Sequence, residues 1–131
     1  MHILCDTNVL SELARSQPDE KVMAWSKTVD RVTLSVITLE EISFGLAWKP
    51  NTRISQWFNK FIKDFCEVLP ITPEIATQAG NFRGMFRQKG QSHTQADMLI
   101  AATASIHGLI LVTRNTRDFT GCNIRLHNPF S

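Results

Sequence analysis

The chain opens with the stretch HILCDTNVL, residues 2–10, in which one apolar run passes through three polar residues into another. The first run, residues 2–5, has the length and composition of a buried β-strand. Asp6, Thr7 and Asn8 follow it, and all three residue types favour turns and helix caps. The apolar residues after Asn8 have the spacing of a short helix. The stretch therefore predicts a strand that ends at Asp6 and leads directly into a helix.

Strand and helix patterns continue to alternate along the chain. Further strands are predicted at residues 31–35, 67–69, 109–113 and 124–126. Further helices are predicted from Asp19 onward and over residues 38–48, 52–66, 73–89 and 95–107. This alternation is typical of α/β proteins, so we expect a three-layer α/β/α sandwich with a mostly parallel central sheet. No repeat or linker interrupts the pattern, and residues 1–131 are predicted to form a single domain.

The composition, 43% hydrophobic and 20% charged over 131 residues, is that of a globular protein large enough to bury a core. The sequence has no signal-peptide pattern and no run near the roughly 18 apolar residues that cross a bilayer. We therefore expect a cytoplasmic protein without a membrane association. Cys5, Cys66 and Cys122 are odd in number and widely spaced, which predicts free thiols. The formal charge of +2, taken alone, favours solvated basic helix faces over a polyanion-binding surface.

Four acidic residues lie where a predicted strand or helix begins or ends: Asp6, Glu41, Asp97 and Asp118. Parallel strands end at one edge of a sheet, so we expect these side chains to meet in one cleft. Crowded carboxylates raise one another's pKa unless they share a cation. Oxygen ligands without histidine or cysteine select Mg²⁺ or Mn²⁺, and such ions activate water for attack at phosphorus. The acids therefore predict a metal-dependent phosphodiesterase.

Each acid also has a local explanation that the sequence leaves open. Asp6 can form a turn or cap the following helix. Thr38 and Glu41 match the capping box, in which a glutamate three residues after the cap bonds back to it. Asp97 suits the positive end of a helix dipole, and Asp118 suits a solvated loop. The functional interpretation therefore depends on all four residues together.

Four sequence blocks resemble PIN-domain ribonucleases, in particular the VapC-type toxins of bacterial toxin–antitoxin pairs and the related FitB branch. These blocks are CDTNVLSE at residues 5–12, SVITLEEISFG at 35–45, ADMLIAATA at 96–104 and LVTRNTRDF at 111–119. They occur in the family's order and extend over the whole chain. The family pattern of an acid, an aliphatic residue, two variable residues and glycine selects Glu41 over Glu40.

The resemblance implies a Mg²⁺- or Mn²⁺-dependent endoribonuclease in which Asp6, Glu41 and Asp97 hold metal and position the attacking water. Some members have an acid at the position of Asn115, whereas others use the one at Asp118, so the fourth catalytic residue is left open between these two. The resemblance also implies polar residues that orient ligands or water, each of which has an equally good local explanation: Thr7, Asn8, Thr113 and Asn115.

The resemblance further implies three partners: an RNA substrate, a cognate VapB- or FitA-like antitoxin whose C-terminal tail covers the cleft, and a second copy in a homodimer. The candidate dimer surfaces are the aromatic stripe around Trp57 and Phe61 and the helix that carries Phe82 and Phe86, but each serves equally well as core. Two other functions remain open. One is a metal-dependent nuclease or phosphohydrolase acting on DNA or nucleotides, and the other is an inactive PIN-fold binding module.

Overall fold

Five strands form one parallel sheet in the computed structural model, which describes residues 2–131. The strands are β1 (Ile3–Cys5), β2 (Val32–Ser35), β3 (Cys66–Leu69), β4 (Ile110–Val112) and β5 (Leu126–His127). Their spatial order is β3-β2-β1-β4-β5, and each neighbouring pair is parallel. The first strand of the chain is therefore the central one, and the carboxyl ends of all five strands lie at one edge of the sheet.

Six α-helices connect the strands of this described region: α1 (Thr7–Leu13), α2 (Glu20–Ser26), α3 (Val36–Trp48), α4 (Thr52–Phe65), α5 (Pro73–Gln88) and α6 (Gln95–His107). A short 3₁₀ helix, Thr116–Phe119, lies between β4 and β5. Side chains at the N-terminal caps fix several helix starts, as where Asn51 accepts from the N–H of Ile54 at α4. Gly108 ends α6 at a φ of +64°, a backbone conformation that glycine adopts without steric cost. None of these helices is long and apolar enough to cross a bilayer.

The helices cover both faces of the sheet. Successive strand residues point to opposite faces, so each strand contributes side chains to the packing on both sides. Leu4 packs against α5 and α6, whereas its neighbours Ile3 and Cys5 pack against α1, α2 and α4. The two resulting cores make this a three-layer α/β/α sandwich, and the sequence-based prediction of the fold class is confirmed.

The aromatic residues considered as dimer surfaces belong to these two cores. Phe82 and Phe86 are buried against α6, and Trp57 and Phe61 stack on each other against the second core. Burying the apolar face of an amphipathic helix in this way supplies most of its stability in a protein. Phe82 and Phe86 are therefore core residues, whereas Trp57 and Phe61 are only partly buried and a role for them in a dimer stays a prediction.

Candidate site at the carboxyl edge of the sheet

Asp6 follows the central strand and is buried, with only 6% of its surface exposed. One carboxylate oxygen accepts from the backbone N–H of Thr7 at 2.8 Å, which makes Asp6 the cap of α1. The other accepts from the hydroxyl of Thr113 at 2.8 Å. Burial raises the pKa of Asp6, these two hydrogen bonds partly oppose the rise, and the charges of Asp97 and Glu41 add to it. Asp6 is thus both a cap and a buried carboxylate beside two others.

Thr113 joins the loop after β4 to the start of α1. Its hydroxyl donates to Asp6 and accepts from the N–H of Asn115 at 3.1 Å. The side-chain oxygen of Asn8 accepts from the N–H of Arg114 at 3.2 Å, and its amide nitrogen donates to the Thr113 hydroxyl at 3.5 Å. With the Thr113–Asp6 bond, three side-chain hydrogen bonds therefore link the two segments. Because Thr113 is fully buried, its hydrogen bonds form in a low-dielectric setting where they hold their partners firmly.

Glu41 lies in the second turn of α3 and not at its start. The helix begins at Val36, and its cap is Ser35, whose hydroxyl accepts from the N–H of Ile37 at 3.0 Å. The capping box of Thr38 and Glu41 is therefore a wrong interpretation. One carboxylate oxygen of Glu41 instead accepts from the hydroxyl of Thr7 at 2.6 Å, across 34 residues of sequence. Its neighbour Glu40 is exposed.

Asp97 is the third residue of α6, whose cap is Thr94. The hydroxyl of Thr94 accepts from the N–H of Asp97 at 3.1 Å. Burial raises the pKa of Asp97, hydrogen bonding with Thr94 opposes this, and the charge of Asp118 raises it further. The helix N-terminus therefore accounts for the position of Asp97 in the chain, but the carboxylate also lies near a second acid.

Three of the four predicted acids line one cavity of about 500 Å³: Asp6, Glu41 and Asp97. Asn115 lines it as well, together with Thr7 and Asn8. Asp118 is not among the lining residues; it is exposed on the 3₁₀ helix and acts on the cavity through its charge on Asp97. The structure thus brings together Asp6, Glu41 and Asp97 and leaves Asp118 at the margin.

Hard oxygen donors line this cavity without thiols or imidazoles, as Mg²⁺ and Mn²⁺ prefer. Over residues 2–131, no three Asp, Glu, His or Cys side chains form a group tight enough to ligate one ion directly. The carboxylates face a common volume and do not close on a common point. Since a water molecule takes up about 30 Å³ of liquid, the cavity has room for an ion that keeps several waters, as Mg²⁺ usually does.

The sequence interpretation missed three residues that also line the cavity: Ser11, Glu12 and Arg15. The carboxylate of Glu12 is buried, pairs with Arg15 at 3.1 Å and accepts from the N–H of Asp19 at 2.9 Å. Glu12 therefore ties α1 to the start of α2. An acid and a base three residues apart were the available signal, because such residues are neighbours on a helix surface.

Comparison with known proteins identifies the family of the chain. A model of the PIN domain family matches residues 3–120. The toxin FitB of Neisseria gonorrhoeae is 33% identical over 98% of this chain and 98% of its own length. The VapC ribonuclease Y4jK of Sinorhizobium fredii is 32% identical over 98% of this chain and 97% of its own length.

A solved structure, a toxin–antitoxin complex from Klebsiella pneumoniae, contains a chain that superposes with a TM-score of 0.78. It is 25% identical, and the match covers 98% of each chain. Family model, relatives and solved structure agree over nearly the full length. The chain therefore belongs to the PIN-domain family, in the branch of the VapC and FitB toxins.

Proposed function

We propose that this protein is a metal-dependent endoribonuclease toxin that hydrolyses RNA phosphodiester bonds in the cytoplasm and is inhibited by a cognate antitoxin. The observation that carries the proposal is the single cavity lined by Asp6, Glu41 and Asp97. Two relatives at 33% and 32% identity are named a toxin and a ribonuclease, and a similar solved chain comes from a toxin–antitoxin complex.

Asp6, Glu41 and Asp97 would hold Mg²⁺ or Mn²⁺, since carboxylates are the ligands that these cations prefer. When bound, such an ion lowers the pKa of a water ligand and stabilises the negative charge that grows on the phosphate. It would also reverse the rise in the pKa values of Asp6 and Asp97, because a cation favours the ionised carboxylate. Asp6 and Asp97 would therefore be ionised, and act only as acceptors, when the site is loaded.

The neighbouring hydroxyl groups fix the orientation of these carboxylates. The Thr113 hydroxyl donates to Asp6, whose two oxygens also accept from the Thr7 N–H and the Asn8 amide. The Thr7 hydroxyl donates to one oxygen of Glu41. A carboxylate has about four acceptor sites, so each acid keeps at least one for the cavity. Partners of this kind set ligand geometry and typically change metal affinity or activity by about 10- to 100-fold. Asn115 lies on the cavity wall and is placed to contact substrate or water, whereas Asp118 is assigned an electrostatic role through Asp97.

The antitoxin and the second copy belong to the same proposal. An antitoxin tail with a basic side chain would offset part of the negative charge of the three carboxylates that line the cavity. For a homodimer, α3 offers the adjacent aromatic rings of Phe44 and Trp48, which are 62% and 69% exposed. Large exposed apolar side chains that cluster on one helix are typical of an interaction surface.

The test is cleavage of structured RNA by the purified chain, freed of any antitoxin, with Mg²⁺, Mn²⁺ or a chelator. We expect cleavage only with metal. Glu41→Gln should lower the rate at least about 100-fold, because it removes a charged ligand. Its matched control is Glu40→Gln, which changes the neighbouring exposed glutamate and should leave the rate within about 3-fold.

Two outcomes would contradict the proposal. Equal rates for the two glutamine variants would remove Glu41 from the chemistry. Equal cleavage of a DNA strand of the same sequence would favour a general metal-dependent nuclease, because attack at phosphorus does not by itself distinguish the two sugars.

A further inference from the structure

The C-terminal segment contacts the wall of the acidic cavity through Arg114. Arg114 lines the cavity and follows Thr113, the residue that holds Asp6. Its guanidinium carbon lies 4.7 Å from the centre of the Phe130 ring. A guanidinium at this distance over an aromatic face is attracted by the ring's quadrupole. The ring therefore restricts the positions that the long Arg114 side chain can take.

The backbone on both sides of this contact is fixed. The N–H of Arg114 donates to Asn8, and its carbonyl accepts from the side chain of Asn128 at 3.3 Å. The other end of the Asn128 side chain accepts from the N–H of Phe130 at 2.9 Å. Phe130 is half-buried and packs against the core that includes Val112. The backbone of Arg114 and that of Phe130 are thus each fixed by hydrogen bonds that do not depend on the contact between the two side chains.

Arg114 makes no ion pair in the part of the chain that the structure describes, where the one salt bridge joins Arg15 and Glu12. Contact with an aromatic face uses the flat surface of a guanidinium and leaves its N–H groups at the edge free to donate. A guanidinium presents up to five such donors in a plane that matches two phosphate oxygens. The Arg114 guanidinium lines the same cavity as the carboxylates of Asp6, Glu41 and Asp97, which would repel the RNA backbone. Its positive charge offsets part of that repulsion at one wall of the cavity.

We infer that Arg114 binds a backbone phosphate of the RNA next to the bond that is cleaved, and that Phe130 is a positioning residue for its guanidinium. The inference rests on the proposed function and names a substrate contact for the same cavity. It assigns Phe130 a part in substrate binding. It also places the bound RNA on the side of the cavity formed by the loop after β4.

The experiment compares Arg114→Gln with Arg117→Gln, an exposed arginine of the same segment that does not line the cavity. Binding of a single-stranded RNA is measured by fluorescence anisotropy at several salt concentrations, and cleavage is measured as separate KM and kcat values. We expect Arg114→Gln to raise Kd and KM about 10-fold and to lower the salt slope by about one, with kcat nearly unchanged. Arg117→Gln should change Kd and KM by less than about 2-fold.

Phe130 is replaced both in the wild-type chain and in Arg114→Gln. The comparison separates an effect of the ring on the position of Arg114 from an effect on folding. Phe130→Leu should weaken RNA binding about 3-fold in the wild-type chain and have no further effect in Arg114→Gln, because the ring acts through the arginine. Phe130→Tyr keeps an aromatic ring and should bind RNA as the wild-type chain does. Thermal unfolding of each variant checks that the fold is intact.

Three results would overturn the inference. If Arg114→Gln leaves Kd, KM and the salt slope unchanged in a chain that still cleaves RNA, the inference fails and the proposed function stands. If Phe130→Leu weakens binding equally in both backgrounds, the ring has a structural role only. If the wild-type chain neither binds nor cleaves RNA, the proposed function fails and the inference with it.

Discussion

The two sides of the acidic cavity are built differently. On one side, called the strand side here, Asp6 follows β1 and Glu41 lies beside it on α3. These two acids accept hydroxyl hydrogen bonds from Thr113 and Thr7 respectively, each distant in sequence from its partner. On the helix side, within residues 2–131, the hydrogen bonding of Asp97 outside the helix ladder is with Thr94, the cap residue of its own helix. The strand side is therefore fixed by tertiary contacts, whereas the helix side is fixed by one helix end. Substitutions on the strand side should lower stability and activity together, and those on the helix side should lower activity without lowering stability.

The largest expected effect tests the helix side. Asp97→Asn should lower RNA cleavage at least about 100-fold, because it removes a charged metal ligand. The melting temperature without metal at neutral pH should be unchanged or raised, since burial and Asp118 disfavour the ionised form of Asp97.

The control for this variant is Glu74→Gln, which alters an acid in the first turn of α5, outside the cavity lining. It removes the same favourable helix-dipole interaction, of about 0.3–1 kcal/mol, and should leave cleavage unchanged. Loss of folding in Asp97→Asn with retained specific activity would make the capping role of Asp97 its main one.

The next effect tests the strand side. Thr113→Val should lower cleavage about 10- to 100-fold, because the Asp6 carboxylate loses the group that orients it. The same change should lower the free energy of unfolding by about 1–3 kcal/mol, because a buried acceptor loses its donor. The control is Thr103→Val, a buried threonine whose hydroxyl bonds only the carbonyl of Leu99. If both valine variants had the same cleavage rate, the hydroxyl of Thr113 would have no role in the site.

A smaller effect decides whether Asn115 or Asp118 is the fourth catalytic residue. Asn115→Ala should lower cleavage about 10-fold, since Asn115 lines the cavity. Asp118→Asn should lower it by less than about 3-fold, because Asp118 is exposed and acts only through its charge. The measurement is kcat/KM for both variants under the same metal concentration. The reverse order of effects would assign the fourth catalytic position to Asp118.

The smallest effect is the pH dependence of stability without metal. The pKa of Asp97 is higher in the folded chain than in the unfolded chain, so the unfolded chain loses its proton first as pH rises. Asp97 therefore lowers the free energy of unfolding as pH rises from the ordinary aspartate value of about 3.9 through the folded-state pKa. The gain in stability of Asp97→Asn over wild type should be absent at lower pH and complete near neutral pH, as measured by denaturant unfolding. A gain independent of pH would exclude this origin.

The sequence predicted Asp6 well because a strand end fixes its place: a residue directly after a parallel strand lies at the carboxyl edge whatever its local role. It predicted the start of α3 poorly. β2 passes into α3 without a loop, and Ser35 is both the last strand residue and the helix cap. Two cap patterns overlap in this segment, and tertiary pairing of β2 selects the earlier one.

Other differences also arise from contacts that local patterns do not carry. The last strand was predicted at residues 124–126 and is found at Leu126–His127. Gly121 and Asn123 have positive φ values of 99° and 55°, so the chain is still turning just before the predicted strand begins. The spacing of the aromatic residues on α4 and α5 is the same for a face that packs on a core and for one that binds a partner. Only the three-dimensional structure shows that these faces contact the two cores.

The central strand of the sheet precedes the other four in the chain, and one of its two partners, β4, lies far along the sequence. Asp6 and the Thr113 hydroxyl that holds it are separated by 107 residues. A nascent chain therefore carries Asp6 without the hydroxyl that holds it until Thr113 has left the ribosome. Under the proposed function, this delay gives a co-expressed inhibitor time to be present when the site first assembles.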